Sequence, residues 1–166
     1  MFIRPATRDD IAQCAEIYDI ARGFMRDNGN PTQWNSEYPG GLDVEMGIQG
    51  GTSYVCEDGG EIVATFHFEM NAIDPSYLEI YDGQWLNDRP YAVIHRIAVK
   101  HHGKGIADFC VNWCYEQFPN LKIDTHESNL PMQRFLTKCG FTRCGTVYIA
   151  SITDKDEAKR VAYQKG

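Results

Sequence analysis

At 166 residues, with 43% hydrophobic and 23% charged side chains, the chain has the size and composition of one soluble globular domain whose core needs neither metal nor disulfides. A formal net charge of −7 argues against nucleic acid as the main partner, because duplex binding needs clustered Lys and Arg, and it suits a cationic or amine ligand. No apolar run is long enough to span a bilayer, and Met1-Phe2-Ile3-Arg4-Pro5 lacks the features of a signal peptide, so the expectation is a cytoplasmic protein with no membrane partner.

Phe2 to Pro5 reads as a short strand. Thr7-Arg8-Asp9-Asp10 then offers a capping residue and early acids before Ile11, Cys14, Ala15, Tyr18 and Ala21, which recur at helical spacing. An irregular Gly-, Asn- and Pro-rich stretch runs from Asn28 to Gly41, followed by a short helix from Leu42 to Gln49. Ser53 to Glu57 and Ile62 to Met70 read as strands joined by a Glu57-Asp58-Gly59-Gly60 turn. The segment from Asn71 to Pro90 has no dominant pattern. Tyr91 to Val99 is β-rich, Gly103 to Phe118 helical, and Leu121 to Thr125 a strand. Asn129 to Lys138 is helical and stops at Cys139-Gly140, and Phe141 to Ser151 and Arg160 to Gln164 supply the last strands. With no repeat or linker, the expectation is a single domain over residues 1–166: an α/β (mixed α+β) fold, a mixed central β-sheet flanked by helices in three layers. The six cysteines are scattered, and buried reduced thiols account for them better than a metal site does.

The strand ending Ile97-Ala98-Val99 runs into Lys100-His101-His102-Gly103-Lys104-Gly105-Ile106-Ala107 and then a helix. A glycine loop at a helix N-terminus suits a phosphate, because the first-turn N–H groups lack helical partners and the dipole favours an anion. A P-loop is absent, and a GxGxxG fingerprint fails at Asp108. Taken alone, the loop could equally be a solvated basic turn.

His102-Gly103-Lys104-Gly105-Ile106-Ala107 resembles the coenzyme A signature of the GNAT N-acyltransferases, with His102 where Gln or Arg is usual. Ile123-Asp124-Thr125, Asn129, Phe135 and Lys138-Cys139-Gly140-Phe141 resemble the second block of that family, and Ile3 to Thr7 with Asp10 its opening strand and cap. The resemblance implies a GNAT-like three-layer domain that acetylates an amine of a small molecule or peptide. Acetyl-coenzyme A would be the acyl donor, with no metal. It also implies that amides of His102, Gly103, Lys104, Gly105, Ile106 and Ala107 hold the pyrophosphate, that Ile97 and Val99 pair with the pantetheine arm, and that the Ile97 amide polarises the thioester carbonyl. Asn129 would contact the arm, cap the following helix, or both.

Direct attack by an amine needs a base. His95 is the first candidate: Ile94-His95-Arg96-Ile97-Ala98-Val99 resembles the Ile-His-x-Leu-Ala-Val strand of arylalkylamine acetyltransferases, and imidazole titrates near neutrality. The alternative is a structural His in a half-buried strand. His67, His126 and Glu69 rank below it. Trp34 and Trp85 are expected to wall the acceptor pocket, with Glu37 or Asp82 facing a cation. Many family members carry a tyrosine acid seven residues after the motif Asn; here that position is Leu136, and Tyr148 is the nearest tyrosine. Lysine or N-terminal protein acetylation and non-catalytic acyl-coenzyme A binding stay open, as does assembly into a homodimer.

Overall fold

The computed structural model describes residues 1–166. Seven strands form one sheet: β1 (Phe2–Pro5), β2 (Ser53–Asp58), β3 (Glu61–Glu69), β4 (Ala92–Val99), β5 (Leu121–Thr125), β6 (Thr142–Tyr148) and β7 (Lys159–Lys165). Their order is β1-β2-β3-β4-β5-β7-β6, antiparallel throughout except for the β4–β5 pair. Helices α1 (Ile11–Asp27) and α2 (Gly41–Gly50) cover one face, and α3 (Ile106–Gln117) and α4 (Leu130–Lys138) the other, giving the expected three-layer mixed fold.

Local chemistry accounts for the boundaries. Thr7 opens a 3-10 turn ahead of α1, where Asp10 Oδ2 accepts from the Thr7 amide at 2.7 Å and from Arg4 at 2.7 Å. Gly59 and Gly60 both take positive φ, 59° and 83°, as a two-residue β2–β3 hairpin turn requires, so the turn spans Asp58 to Glu61, one residue later than Glu57 to Gly60. Gly140, at φ 87°, ends α4, and the Phe141 amide returns to the Leu136 carbonyl at 3.0 Å. Phe66, Phe68, Ile94, Val111, Leu121 and Leu136 fill the core beneath α3 and α4; Cys14, Ile17, Tyr18, Val44 and Val55 fill the one beneath α1 and α2. Fully burying each of the larger apolar groups contributes about 1.5–3 kcal/mol. All six thiols are free and all but Cys139 are buried.

Two features shape the centre of the sheet. Ala92 and Ile94 face the α3 side, but so do Ile97 and Val99, whereas Ala98 faces α1. The two-residue alternation therefore slips by one between Ile94 and Ile97. Arg96 absorbs the slip at φ 54°, opposite a register shift in β3 between Thr65 and His67, and the Tyr18 hydroxyl pins the bulge by donating to the Arg96 carbonyl at 3.0 Å. Secondly, β4 and β5 pair only at Ala92–Leu121 and Val93–Lys122, after which they part. No helix is long and apolar enough to cross a membrane.

Candidate active site

The parting of β4 and β5 opens a cleft of about 1030 Å³. Ile94, His95, Arg96 and Ile97 line it from β4, and Ile123, Asp124 and Thr125 from β5; His126, Asn129, Gln33, Trp34 and Tyr38 also contribute. The Lys100 amide donates to Val63 in β3 at 2.8 Å, so the alternate residues Ile97 and Val99 turn their main-chain groups the other way, towards the gap left by β5. No strand meets them there.

Beyond Val99 the chain enters the glycine loop. Gly103 and Gly105 take φ values of 75° and 73°, and a Cβ on either would find no heavy atom within 4 Å. Side chains disfavour that backbone region, and the space before the loop is open. Gly105 is also the N-cap of α3, so the free amides of the first turn face that space. His102 stacks on Phe24 of α1, with ring centres 3.8 Å apart, so its side chain packs against α1.

His95 is half-buried in the cleft with Nε2 2.7 Å from Asp74 Oδ2. Burial by itself would raise the Asp74 pKa, but the His95 contact and the Ser76 amide, 2.9 Å from Oδ1, outweigh it and hold the carboxyl below its ordinary value. An ionised Asp74 can only accept, so Nε2 carries the proton of neutral His95 and Nδ1 keeps its lone pair. Burial disfavours imidazolium, yet Asp74 and the nearby charge of Asp124 prevail and raise the His95 pKa above 6.5. Asp124 Oδ2 in turn accepts from the Tyr77 hydroxyl at 2.6 Å.

The other candidates separate clearly. His67 reaches the cleft, but burial, then the charges of Arg96 and His95, push its pKa down to about 3, and a group so weakly basic accepts a proton poorly. His126 also lines the cleft; burial and Arg160 lower its pKa, and Nδ1 already accepts from the Ser128 amide at 3.0 Å. Asn129 is 5% exposed; it caps α4 by accepting from the Met132 amide at 3.3 Å and donates to Gln33 at 3.2 Å. Trp34 lines the cleft, edge-on to Tyr18.

Trp85 corrects the expectation set for it. It does not line the cleft, but donates from Nε1 to the Tyr77 carbonyl at 3.1 Å and, with Tyr91, clasps the Lys122 ammonium 4.0 Å from each ring centre. Glu37, Glu69 and Asp82 are exposed and do not line the cleft either. Leu136 is fully buried in the core, and Tyr148 packs edge-on to Tyr81 beneath Lys155, away from the lining. The sequence reading also missed Asp74, Arg96, Asp156, Glu157 and Arg160, all of which line the cleft. Asp74-Pro75 was a readable signal, since an Asp followed by Pro marks the start of a helical turn, and Asp74 does cap the 3-10 turn Pro75–Tyr77. The one-turn helix α5 (Lys155–Ala158), which delivers Asp156, Glu157 and then Arg160, is too short to leave a periodic pattern.

Known proteins share this fold. The model of the Acetyltransferase (GNAT) family matches residues 14–141. A GNAT-family acetyltransferase structure from Streptococcus agalactiae 2603 is 30% identical, covers 99% of this chain and 94% of its own, and superposes with a TM-score of 0.85. A GNAT-family structure from Listeria monocytogenes 4b F2365 (18% identity, 99% and 93% coverage, TM-score 0.70) shares the fold. So does a ribosomal-protein-alanine N-acetyltransferase from Brucella melitensis (18% identity, 99% of both chains, TM-score 0.66). No curated protein matches the chain.

Proposed function

Because the chain belongs to the GNAT acetyltransferase family, we propose that it transfers an acetyl group from acetyl-coenzyme A to the amine of a small molecule or peptide by direct attack. One observation carries this reading: the unpartnered edge of β4 at Ile97 and Val99 runs from the His95–Asp74 pair to the open glycine loop. A pyrophosphate fits the loop, since the space before Gly103 and Gly105 is what a Cβ would fill and first-turn amides of α3 border it. Amides of residues 102–107 would hold the phosphates, and main-chain groups of Ile97 and Val99 would bind the pantetheine arm as a neighbouring strand would. The bound thioester supplies an activated acyl group. The Ile97 amide would polarise its carbonyl.

His95 Nδ1 takes the proton from the acceptor ammonium, and the freed lone pair forms the N–C bond as the C–S bond breaks. The nitrogen gives up its second proton to solvent once the N–C bond has formed, and the thiolate takes one from solvent, as a thiol of ordinary acidity near 8.5 permits. Incubating acetyl-coenzyme A with a panel of amines and short peptides tests the proposal: amine-dependent thiol release is expected, and binding without release from any acceptor refutes it.

Two further outcomes follow. Because neutral His95 is the base, kcat/KM rises with pH through a pKa above 6.5. Asp74→Asn removes the hydrogen-bonded one of the two carboxylates that raise that pKa and leaves Asp124 alone against burial and Arg96, which lower it. The acid limb of the profile then moves to lower pH while the plateau falls, because the ring is no longer held; an unmoved limb separates Asp74 from the proton chemistry. Tyr148→Phe keeps kcat within several-fold of wild type, against the roughly 10²-fold loss of a deleted general acid. Steady-state kinetics on that variant, with acetyl-coenzyme A binding intact, decides the point.

A further inference from the structure

The cleft holds two arginines that form no ion pair with a carboxylate. Arg160 is 6% exposed and its Nη1 donates to the carbonyls of Glu157 at 2.7 Å and Lys159 at 2.8 Å. Arg96, on the bulge of β4, has an Nη2 3.4 Å from His67 Nδ1 and a buried Nε with no hydrogen-bond partner. Neither takes part in any ion pair of the structure. In a chain with 23 acids against 16 Lys and Arg, two withdrawn guanidinium groups without a counter-ion are unexpected. Taking a charge from water is unfavourable unless an opposite charge meets it. Burial accordingly pulls the Arg160 pKa down; burial acts the same way on Arg96, where Tyr18, Tyr38 and the charge of Asp43 outweigh it.

Both guanidinium groups line the same cleft, Arg96 from β4 and Arg160 from the start of β7, and Tyr38 lines it with them. Asp124 is near Arg160 too, but its Oδ2 is engaged by Tyr77, and it also acts on His95. Residues 100–107 do not line the cleft, so these arginines are not part of the glycine loop. The cleft thus carries both signs: the carboxylates of Asp74, Asp124, Asp156 and Glu157 together with His95, and the guanidinium groups of Arg96 and Arg160, which form no ion pair with any of them.

We propose that the acceptor carries a carboxylate beside its amine, as an amino acid does, with the carboxylate between Arg96 and Arg160 and the amine directed to His95 and Asp124. This rests on the acetyl-transfer reading. The planar fork of Arg matches a carboxylate in two parallel hydrogen bonds, which a neutral amide cannot reproduce.

The test reads binding and turnover separately. N-acetylglycine, N-acetyl-L-alanine and N-acetyl-L-phenylalanine, each beside its primary amide, are titrated calorimetrically into the full chain. At least one acid is expected to bind tenfold or more tighter than its amide. Arg160→Gln brings that acid to the level of its amide, Arg160→Lys keeps part of the difference, and Arg96→Gln, made separately, gives the same loss as Arg160→Gln. A folding defect in one variant therefore leaves the other to decide. Acids and amides that bind alike, no binding of any acid, or a preference that survives both Gln variants in folded protein overturns the proposal. Inorganic phosphate that binds tighter than every acid overturns it as well, by making the arginines a phosphate site. Thiol release from acetyl-coenzyme A with glycine, alanine, phenylalanine and their amides separates the two readings. Acid-selective binding without release keeps the anion subsite and removes acetyl transfer. Equal release from acids and amides keeps acetyl transfer and removes the subsite.

Discussion

His95→Ala is expected to lower kcat by about 10²-fold or more, the usual range for a deleted general base, with acetyl-coenzyme A affinity little changed. The size of the loss follows from the lack of a substitute. His67 is the nearest imidazole, with ring centres 5.7 Å apart, but at a pKa of about 3 it has almost no tendency to take a proton from an ammonium. His126 spends Nδ1 on the Ser128 amide. Asp74 loses its partner in the variant and Asp124 stays engaged by Tyr77, but a carboxylate is a weaker base than imidazole. Binding of the donor runs through the main chain of β4 and the glycine loop, which the substitution leaves alone, so thermal stabilisation by acetyl-coenzyme A serves as the control. Turnover close to wild type across neutral pH would make His95 a structural residue.

The order of strands and helices after residue 90 was legible because it is written locally. An apolar run ends at two glycines, a helix start follows, and a capping Asn opens α4, so each signal lies within a few residues of what it specifies. The parts of the site that escaped are those set by distant contacts. Ile94 to Val99 reads as uninterrupted strand, because a β-bulge is a relation between two strands: Arg96 shows its positive φ only against the register of β3. Asp74 finds His95 twenty-one residues on, out of a segment with no periodicity to place it. Trp85 was assigned to the cleft because an aromatic in an irregular loop can turn either way. The buried ammonium of Lys122, which a strand pattern does not announce, is what fixes its side. Arg160 looked like the polar start of a strand, and only the turn of α5 folds it into the cleft.

Gly105→Val abolishes stabilisation by acetyl-coenzyme A. A ligand that binds only the folded state at 100 times its Kd adds about 2.7 kcal/mol, or roughly 5–10 °C in Tm for a chain of this size. Gly105 stands at φ 73° with nothing within 4 Å of its Cβ position, so the Cβ of the valine meets no protein atom, yet two separate penalties arise. A β-branched residue resists the left-handed region, at a cost of about 1–2 kcal/mol, and relieving that strain swings the amides at the start of α3 off their line. If the backbone holds, the isopropyl group occupies the open space before the loop. Either route removes the anion site, while residues 101–105 are exposed and belong to neither core, so the unliganded Tm drops by only the strain. Thermal denaturation of wild type and variant, with and without acetyl-coenzyme A, reads both quantities at once. A ligand shift equal to that of wild type would move the phosphate site away from this loop, because no other change is expected to leave the protein folded and the cradle blocked.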